Sequence, residues 1–264
     1  MKNITISLLT LISLSNSLSA DETAITNVEA KYTNNKSVQA EENLKQSINL
    51  GFSNTTGNTK TLNLNGRYDL SFITTGYRGN PLKVAFNTSA FFTKNNDIKS
   101  NEEYIANIGL EQNIVNGWLV YTGLNWLRNP EFKNYDNKYA LNLGVGKELY
   151  ADGKQTIVAK LGTAYNVEDY ANEQETEKFG SLNEYLEYRN KLNETSSFYF
   201  NVGSMQNFDD VSNDYEVTAV MGLNFSVGEN VSLSIEEELA YDHLPAVGFR
   251  RKDTKSIVRL GYAF

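Results

Sequence analysis

The sequence predicts an all-β protein: a closed, antiparallel transmembrane β-barrel of about 12 strands behind a cleaved signal peptide. Three observations predict it. Apolar residues recur at every second position from residue 45 onward, the links between these runs alternate short and long, and the last strand ends on Phe264. Composition agrees: 16 Tyr and 13 Phe stand against 3 Pro, a balance suited to long pleated strands. Mean hydropathy is negative, so no bundle of membrane helices is hidden in the chain.

The N-terminus reads as an export signal over residues 1–20. Lys2 gives a positive start, and Ile4, Ile6, Leu8, Leu9, Leu11, Ile12 and Leu14 form a short apolar core. Ser17, Ser19 and Ala20 supply small residues for cleavage before Asp21 and Glu22. The apolar part is too short to span a bilayer. Residues 21–44 are polar without apolar rhythm and read as a flexible periplasmic lead-in, so the barrel occupies 45–264. Cysteine is absent, which excludes disulfides, thiol nucleophiles, zinc–cysteine clusters and a lipoprotein anchor. It also suits passage through an oxidising periplasm. A net charge of −8 argues against a nucleic-acid partner.

A period of two is the strand period. Ile48, Leu50 and Phe52 begin it; Leu62, Leu64, Tyr68, Leu70 and Phe72 alternate with Asn63, Arg67, Asp69 and Ser71. Further runs cover Leu82 to Phe92, Tyr104 to Ile114, Trp118 to Trp126, Tyr139 to Leu149, Ile157 to Val167, a rougher 177–192, Phe198 to Val202, Tyr215 to Val227, Val231 to Tyr241 and Val258 to Phe264. Most exceed the roughly 9–11 residues that a tilted membrane strand needs. Short links fall at 115–117, 150–154, 193–195 and 228–230, and longer polar ones at 94–102, 128–137, 167–177, 208–213 and 243–252. Short periplasmic turns and longer outer loops produce this alternation. The tight hairpin Asn54 to Thr59 and the longer link 74–81 depart from it. An even strand number puts both ends of the barrel on the periplasmic side. Aromatics then gather near the outer ends (Phe52, Phe92, Tyr104, Trp126, Tyr139) and inner ends (Phe72, Trp118, Tyr188, Phe198), as two interfacial belts.

The opposite parity is polar and small, and it carries charge. Arg67, Lys83, Lys160 and Arg259 are basic lumen candidates; Asp69, Glu111, Glu148, Glu216, Glu236 and Glu238 are acidic ones. Buried charges need water or partners. Two readings remain open at this point: a salt-bridged interior that closes the barrel, or a narrow, weakly cation-preferring channel for small solutes. Glu184 and Glu237 break the rhythm by falling on the lipid parity, where a β-bulge would be needed to turn them inward.

No cofactor or metal site is expected, and no enzyme. The single His243 has no Gly-x-Ser-x-Gly nearby. Asp209–Asp210 and Asp242–His243 loosely resemble the rim pairs of omptin barrel proteases, but adjacent strand residues point to opposite faces. A barrel hydrolase is the remaining low-ranking alternative. Glu168, Asp169, Glu173, Glu175 and Glu177 make an acidic stretch without calcium-loop spacing.

Two resemblances add to this. The terminal run Val258, Leu260, Tyr262 and Phe264 resembles the C-terminal β-signal of outer-membrane proteins, which implies recognition by the barrel-assembly machinery. The first hairpin, Leu50 to Gly66 with the turn Gly57, Asn58 and Thr59, resembles the start of the salt-induced outer-membrane proteins of Gram-negative bacteria, a β-barrel family of unknown function. That resemblance implies an outer-membrane location among lipid, an osmotic or salt-stress role, and no catalytic residues. A monomer is expected.

Overall fold

The computed structural model describes residues 44–55, 61–95, 98–130, 134–171, 175–245 and 251–264. The expected signal peptide, the expected lead-in up to residue 43 and the expected turn residues Gly57, Asn58 and Thr59 lie outside the described residues. Twelve strands follow one another: β1 (Lys45–Thr55), β2 (Thr61–Thr75), β3 (Pro81–Asn95), β4 (Ile98–Asn113), β5 (Trp118–Asn129), β6 (Tyr135–Ala151), β7 (Gln155–Tyr170), β8 (Glu177–Lys191), β9 (Ser196–Asn207), β10 (Tyr215–Ser226), β11 (Val231–Asp242) and β12 (Lys252–Ala263). Each pairs antiparallel with its sequence neighbours. β1 also pairs with β12, from Ser47 opposite Ala263 to Leu50 opposite Leu260, so the sheet closes without an edge.

The alternation of the sequence becomes two faces. Leu50, Leu141, Leu143, Leu161, Val258 and Leu260 are exposed outside, while Asn142, Lys160 and Arg259 between them are buried inside. Among the described residues 23 buried side chains are polar or charged and 12 are apolar. That reverses the order of a water-soluble protein, in which charged residues are seldom fully buried.

One end of the barrel carries the short links, Phe264 and the start of β1; this is the turn end. Asn116 and Gly117 both have positive φ, 52° and 75°, as a two-residue hairpin turn requires. Link 76–80 is longer because a 3-10 turn, Tyr77–Gly79, occupies it. Gln112 of β4 accepts from the Tyr77 backbone N–H at 2.8 Å, and Asn80 donates to the Ile114 carbonyl at 2.5 Å, so this link is stapled to its neighbour. In link 152–154, Asp152 accepts from the backbone N–H of Gln155 (2.6 Å) and Lys154 (2.8 Å). These bonds hold its carboxyl below the usual Asp range.

At the other, loop end the strands run further than hydropathy indicates. The expected link 94–102 is mostly strand, since β3 reaches Asn95 and β4 starts at Ile98, with a register shift at Thr93/Lys94. Likewise β5 and β6 narrow 128–137 to the residues between Asn129 and Tyr135, and β7 and β8 narrow 167–177 to those between Tyr170 and Glu177. The cause is compositional. Lys94, Asn95, Asn101 and Glu102 are polar at both parities, so the apolar rhythm ends while the backbone ladder continues.

Candidate functional site: the charged lumen

Each inward charge is set by strand parity, and barrel closure decides which charges meet. Nearest the loop end, Lys138 of β6 lies 2.5 Å from Glu168 of β7 and 3.4 Å from Glu216 of β10, with its ammonium 4.9 Å from the Tyr135 ring centre. All three charged side chains are buried. Lys255 of β12 reaches both carboxylate oxygens of Glu103 of β4 at 3.3 Å, over the Phe91 ring. Lys160 of β7 meets Glu111 of β4 at 2.6 Å and stands between the rings of Tyr121 and Tyr185, at 5.2 and 5.4 Å. Tyr121 reaches that place because Gly144 and Gly162 lie beneath it. A Cβ at Gly144 would come 2.6 Å from its ring and one at Gly162 2.5 Å from its hydroxyl. Arg259 of β12 pairs with Glu236 of β11 at 2.6 Å and donates to Asn65 of β2 at 2.9 Å, bridging over β1. Arg67 pairs with Asp69 on its own strand at 2.9 Å.

Three of these contacts have special weight. Lys138–Glu216, Lys160–Glu111 and Lys255–Glu103 join strands that share no hydrogen-bonded edge. Each therefore crosses the interior. In a low-dielectric enclosure such pairs hold only if geometry and further hydrogen bonds offset desolvation, and Asn129 beside Glu103 and the rings around Lys160 help to do so. Two cavities flank the crossings. One of about 850 Å³ occupies the turn end and is lined by Arg67, Arg189, Tyr199, Glu236 and Arg259 along with the short turns. One of about 100 Å³ lies against β2–β6, lined by Asp69, Lys83, Asn107, Glu111 and Tyr121.

Of the ten lumen candidates, Arg67, Asp69, Lys160, Glu216, Glu236, Glu238 and Arg259 are buried, and Lys83 and Glu111 are half-buried at the smaller cavity. Glu148 is exposed near the turn end, where the β6–β7 register shifts between Glu148 and Tyr150, and among the described residues it joins no charge across the interior. Glu103, Lys138, Glu187 and Lys255 are not singled out by sequence, and Glu168 and Asp242 read there as part of an acidic stretch and of a rim pair, yet all six are buried. Parity could have found Glu103 and Lys138, because Tyr104 and Tyr139 beside them point outward.

Glu184 and Glu237 stay outside. The register runs unbroken through both, so no bulge turns them inward. Val258, Leu260, Tyr262 and Phe264 form one exposed row on β12, with the Tyr262 and Phe264 rings stacked at 6.3 Å. His243 stacks on Tyr215 at 4.6 Å and meets the Tyr241 hydroxyl at 2.9 Å on the outer face, whereas the adjacent Asp242 is buried inside. Asp209 and Asp210 are exposed in the link after β9. Among the described residues no group of three His, Cys, Asp or Glu is placed to hold a metal ion.

The fold is that of an outer-membrane channel from Pseudomonas putida F1, the COG4313 channel, with a TM-score of 0.51 and 10% identity over 83% of this chain and 94% of that one. The NanC porin aligns with a TM-score of 0.47 and 11% identity over 84% and 99%, and the β domain of the Bordetella autotransporter BrkA with 0.45 and 10% over 84% and 97%. None of the curated proteins is similar to this chain. Residues 48–264 match the family described as protein of unknown function DUF481, and the chain belongs to that family.

Proposed function

We propose that this chain is a non-enzymatic outer-membrane barrel whose lumen is closed at rest, exported through the signal at residues 1–20, with its turn end in the periplasm and a role in the envelope's response to salt or osmotic stress. The observation that carries the closed lumen is the set of three ion pairs crossing it, Lys138–Glu216, Lys160–Glu111 and Lys255–Glu103. The membrane location is supported by the exposed aliphatic outer face set against a charged interior. The link to salt is supported by the resemblance of the first hairpin to salt-induced outer-membrane proteins.

A second reading is a narrow, cation-preferring channel, favoured by the cavity of about 850 Å³ at the turn end. Its sign of selectivity follows from the buried charges. Among the described residues there are eight buried acids (Asp69, Glu103, Glu168, Glu187, Glu216, Glu236, Glu238, Asp242) and five buried bases (Arg67, Lys138, Lys160, Lys255, Arg259). Planar-bilayer recording separates the two. The closed barrel gives no steady conductance, while Lys138→Ala/Lys160→Ala/Lys255→Ala conducts with cation preference. Steady conductance by the wild type overturns the closed lumen. The salt role is tested by growth of a deletion strain in high salt: a specific defect restored by the gene supports it, and unchanged growth removes it.

A further inference from the structure

The outer face of the barrel is not uniform. At mid-strand on β4–β7 it is aliphatic, with Ile108, Leu124, Leu141, Leu143 and Leu161 exposed. On β8–β12 it carries two carboxylates. Glu184 lies midway along β8, where its Oε2 accepts from Ser204 at 2.9 Å and Gln206 at 3.4 Å. Glu237 lies midway along β11, where its Oε2 accepts from Ser256 at 2.6 Å. Among the described residues the other oxygen of each has no hydrogen bond or ion pair. Acyl chains offer it no donor, so a lipid-facing carboxylate is costly.

These groups also share a level. From Glu184 the hydrogen-bonded row runs through Ser204, Val217 and Tyr241 to Lys252. Strands about 4.8 Å apart and tilted by about 40° make a level line slip along this row by about 4 Å, roughly one residue, per strand. Corrected by one residue per strand, the level line from Glu184 passes positions 203, 219, 238 and 256, and the outward-facing residues on or next to it are Ser204, Ala219, Glu237 and Ser256. Two acceptor–donor clusters thus flank the small side chain of Ala219 on the central strand β10.

We propose that the outer face of β8–β12 is an interface between two copies of this chain, packed about a two-fold axis at Ala219. A two-fold contact is self-complementary, so β8–β9 of one copy faces β11–β12 of the other. Glu184 then meets the hydroxyl of Thr254 of the second copy, beside Ser256, which keeps its bond to Glu237. Glu237 meets the second amide hydrogen of Gln206, whose first is given to Glu184. Each spare carboxylate oxygen gains a donor, and Ala219 lets the two β10 strands approach. On this proposal the chain is a dimer, where a monomer is the expectation from the sequence. This rests on the membrane-embedded reading and is independent of whether the lumen is closed.

The absence of cysteine makes the test direct. Full-length Ala219→Cys and a control on the aliphatic face, Leu143→Cys, are refolded into phosphatidylcholine vesicles, with insertion checked by heat-modifiable gel mobility. Both are then treated with a short thiol–thiol cross-linker. The expected result is that Ala219→Cys becomes mostly covalent dimer while Leu143→Cys stays monomeric. Adding Glu184→Leu and Glu237→Leu to Ala219→Cys lowers the dimer fraction on the order of tenfold, about 1.4 kcal/mol of association, with folding retained. Equal cross-linking at 219 and 143 in inserted barrels overturns the interface, as does a dimer indifferent to the two leucines. Failure to insert overturns the membrane reading beneath it.

Discussion

Replacing Lys138 by Met withdraws an ammonium that stands 2.5 Å from Glu168 and 3.4 Å from Glu216, inside a wall where all three side chains are buried. Methionine keeps length and apolar volume, so the change is chiefly electrostatic. Breaking a buried pair by removing one partner costs about 3–5 kcal/mol, because the opposite charge stays buried. Two carboxylates share this lysine, which favours the upper half of that range. The assay is urea-dependent folding into lipid vesicles, followed by the fluorescence of Trp118 and Trp126 and by gel mobility. Lys138→Met is expected to unfold at clearly lower urea. Lys138→Met/Glu168→Gln/Glu216→Gln is expected to regain most of the loss, because the uncompensated charges are gone. A Lys138→Met cost below about 1 kcal/mol, the size of an exposed surface pair, would refute the reasoning that this contact is a dry, wall-to-wall bond.

Three further outcomes follow from local geometry. Gly144→Ala places a methyl 2.5 Å from the Leu161 carbonyl oxygen and 2.6 Å from the Tyr121 ring, so it should cost about 1–3 kcal/mol in the same titration, whereas Gly153→Ala meets nothing within 4 Å but is strained by its φ of 81°. Asp152 has a lowered carboxyl pKa, because Gln155 and Lys154 donate to its ionised form. A depressed pKa means its contribution is present above the ordinary Asp range and lost as pH falls through the folded value. Amide-exchange protection at Lys154 and Gln155 should therefore persist at mildly acidic pH and drop only in strong acid, and Asp152→Ala should abolish it at every pH. Phe264→Ala should lower the yield of assembled barrel in cells several-fold while leaving the refolded protein's urea midpoint nearly unchanged, which separates recognition during assembly from stability.

The twelve strands were legible in the sequence because lipid enforces the period of two without relief: every outward position from Ile48 to Phe264 answers to the same solvent. The rhythm failed where the strands leave the apolar zone. At Lys94 to Glu102 the ladder continues through residues that are polar at both parities, and hydropathy reads a loop. The same failure hid Glu168, which lies in a strand end within the expected link 167–177, and Lys138, which falls between the expected link 128–137 and the apolar run that starts at Tyr139. What no periodicity reveals is partnership across the interior. Lys138 and Glu216 are 78 residues apart, and Lys255 and Glu103 are 152. Which strands face each other depends on strand number and shear, a property of the closed barrel rather than of any segment. Glu184 and Glu237 show the converse. Parity placed them outside, the cost of a charge in lipid argued against it, and the unbroken register places both outside.

The central claim is that one parity of every strand meets lipid while the other lines a closed, charged interior. A nitroxide scan along β6, with single cysteines at positions 138 to 146 of the refolded protein in vesicles, tests it most directly. The account predicts high collision rates with membrane-dissolved oxygen at 139, 141, 143 and 145, and low rates at 138, 140, 142, 144 and 146, where nickel chelate in the water is also largely excluded. Equal oxygen access at both parities, or free access of the chelate to 138 and 142, would contradict it.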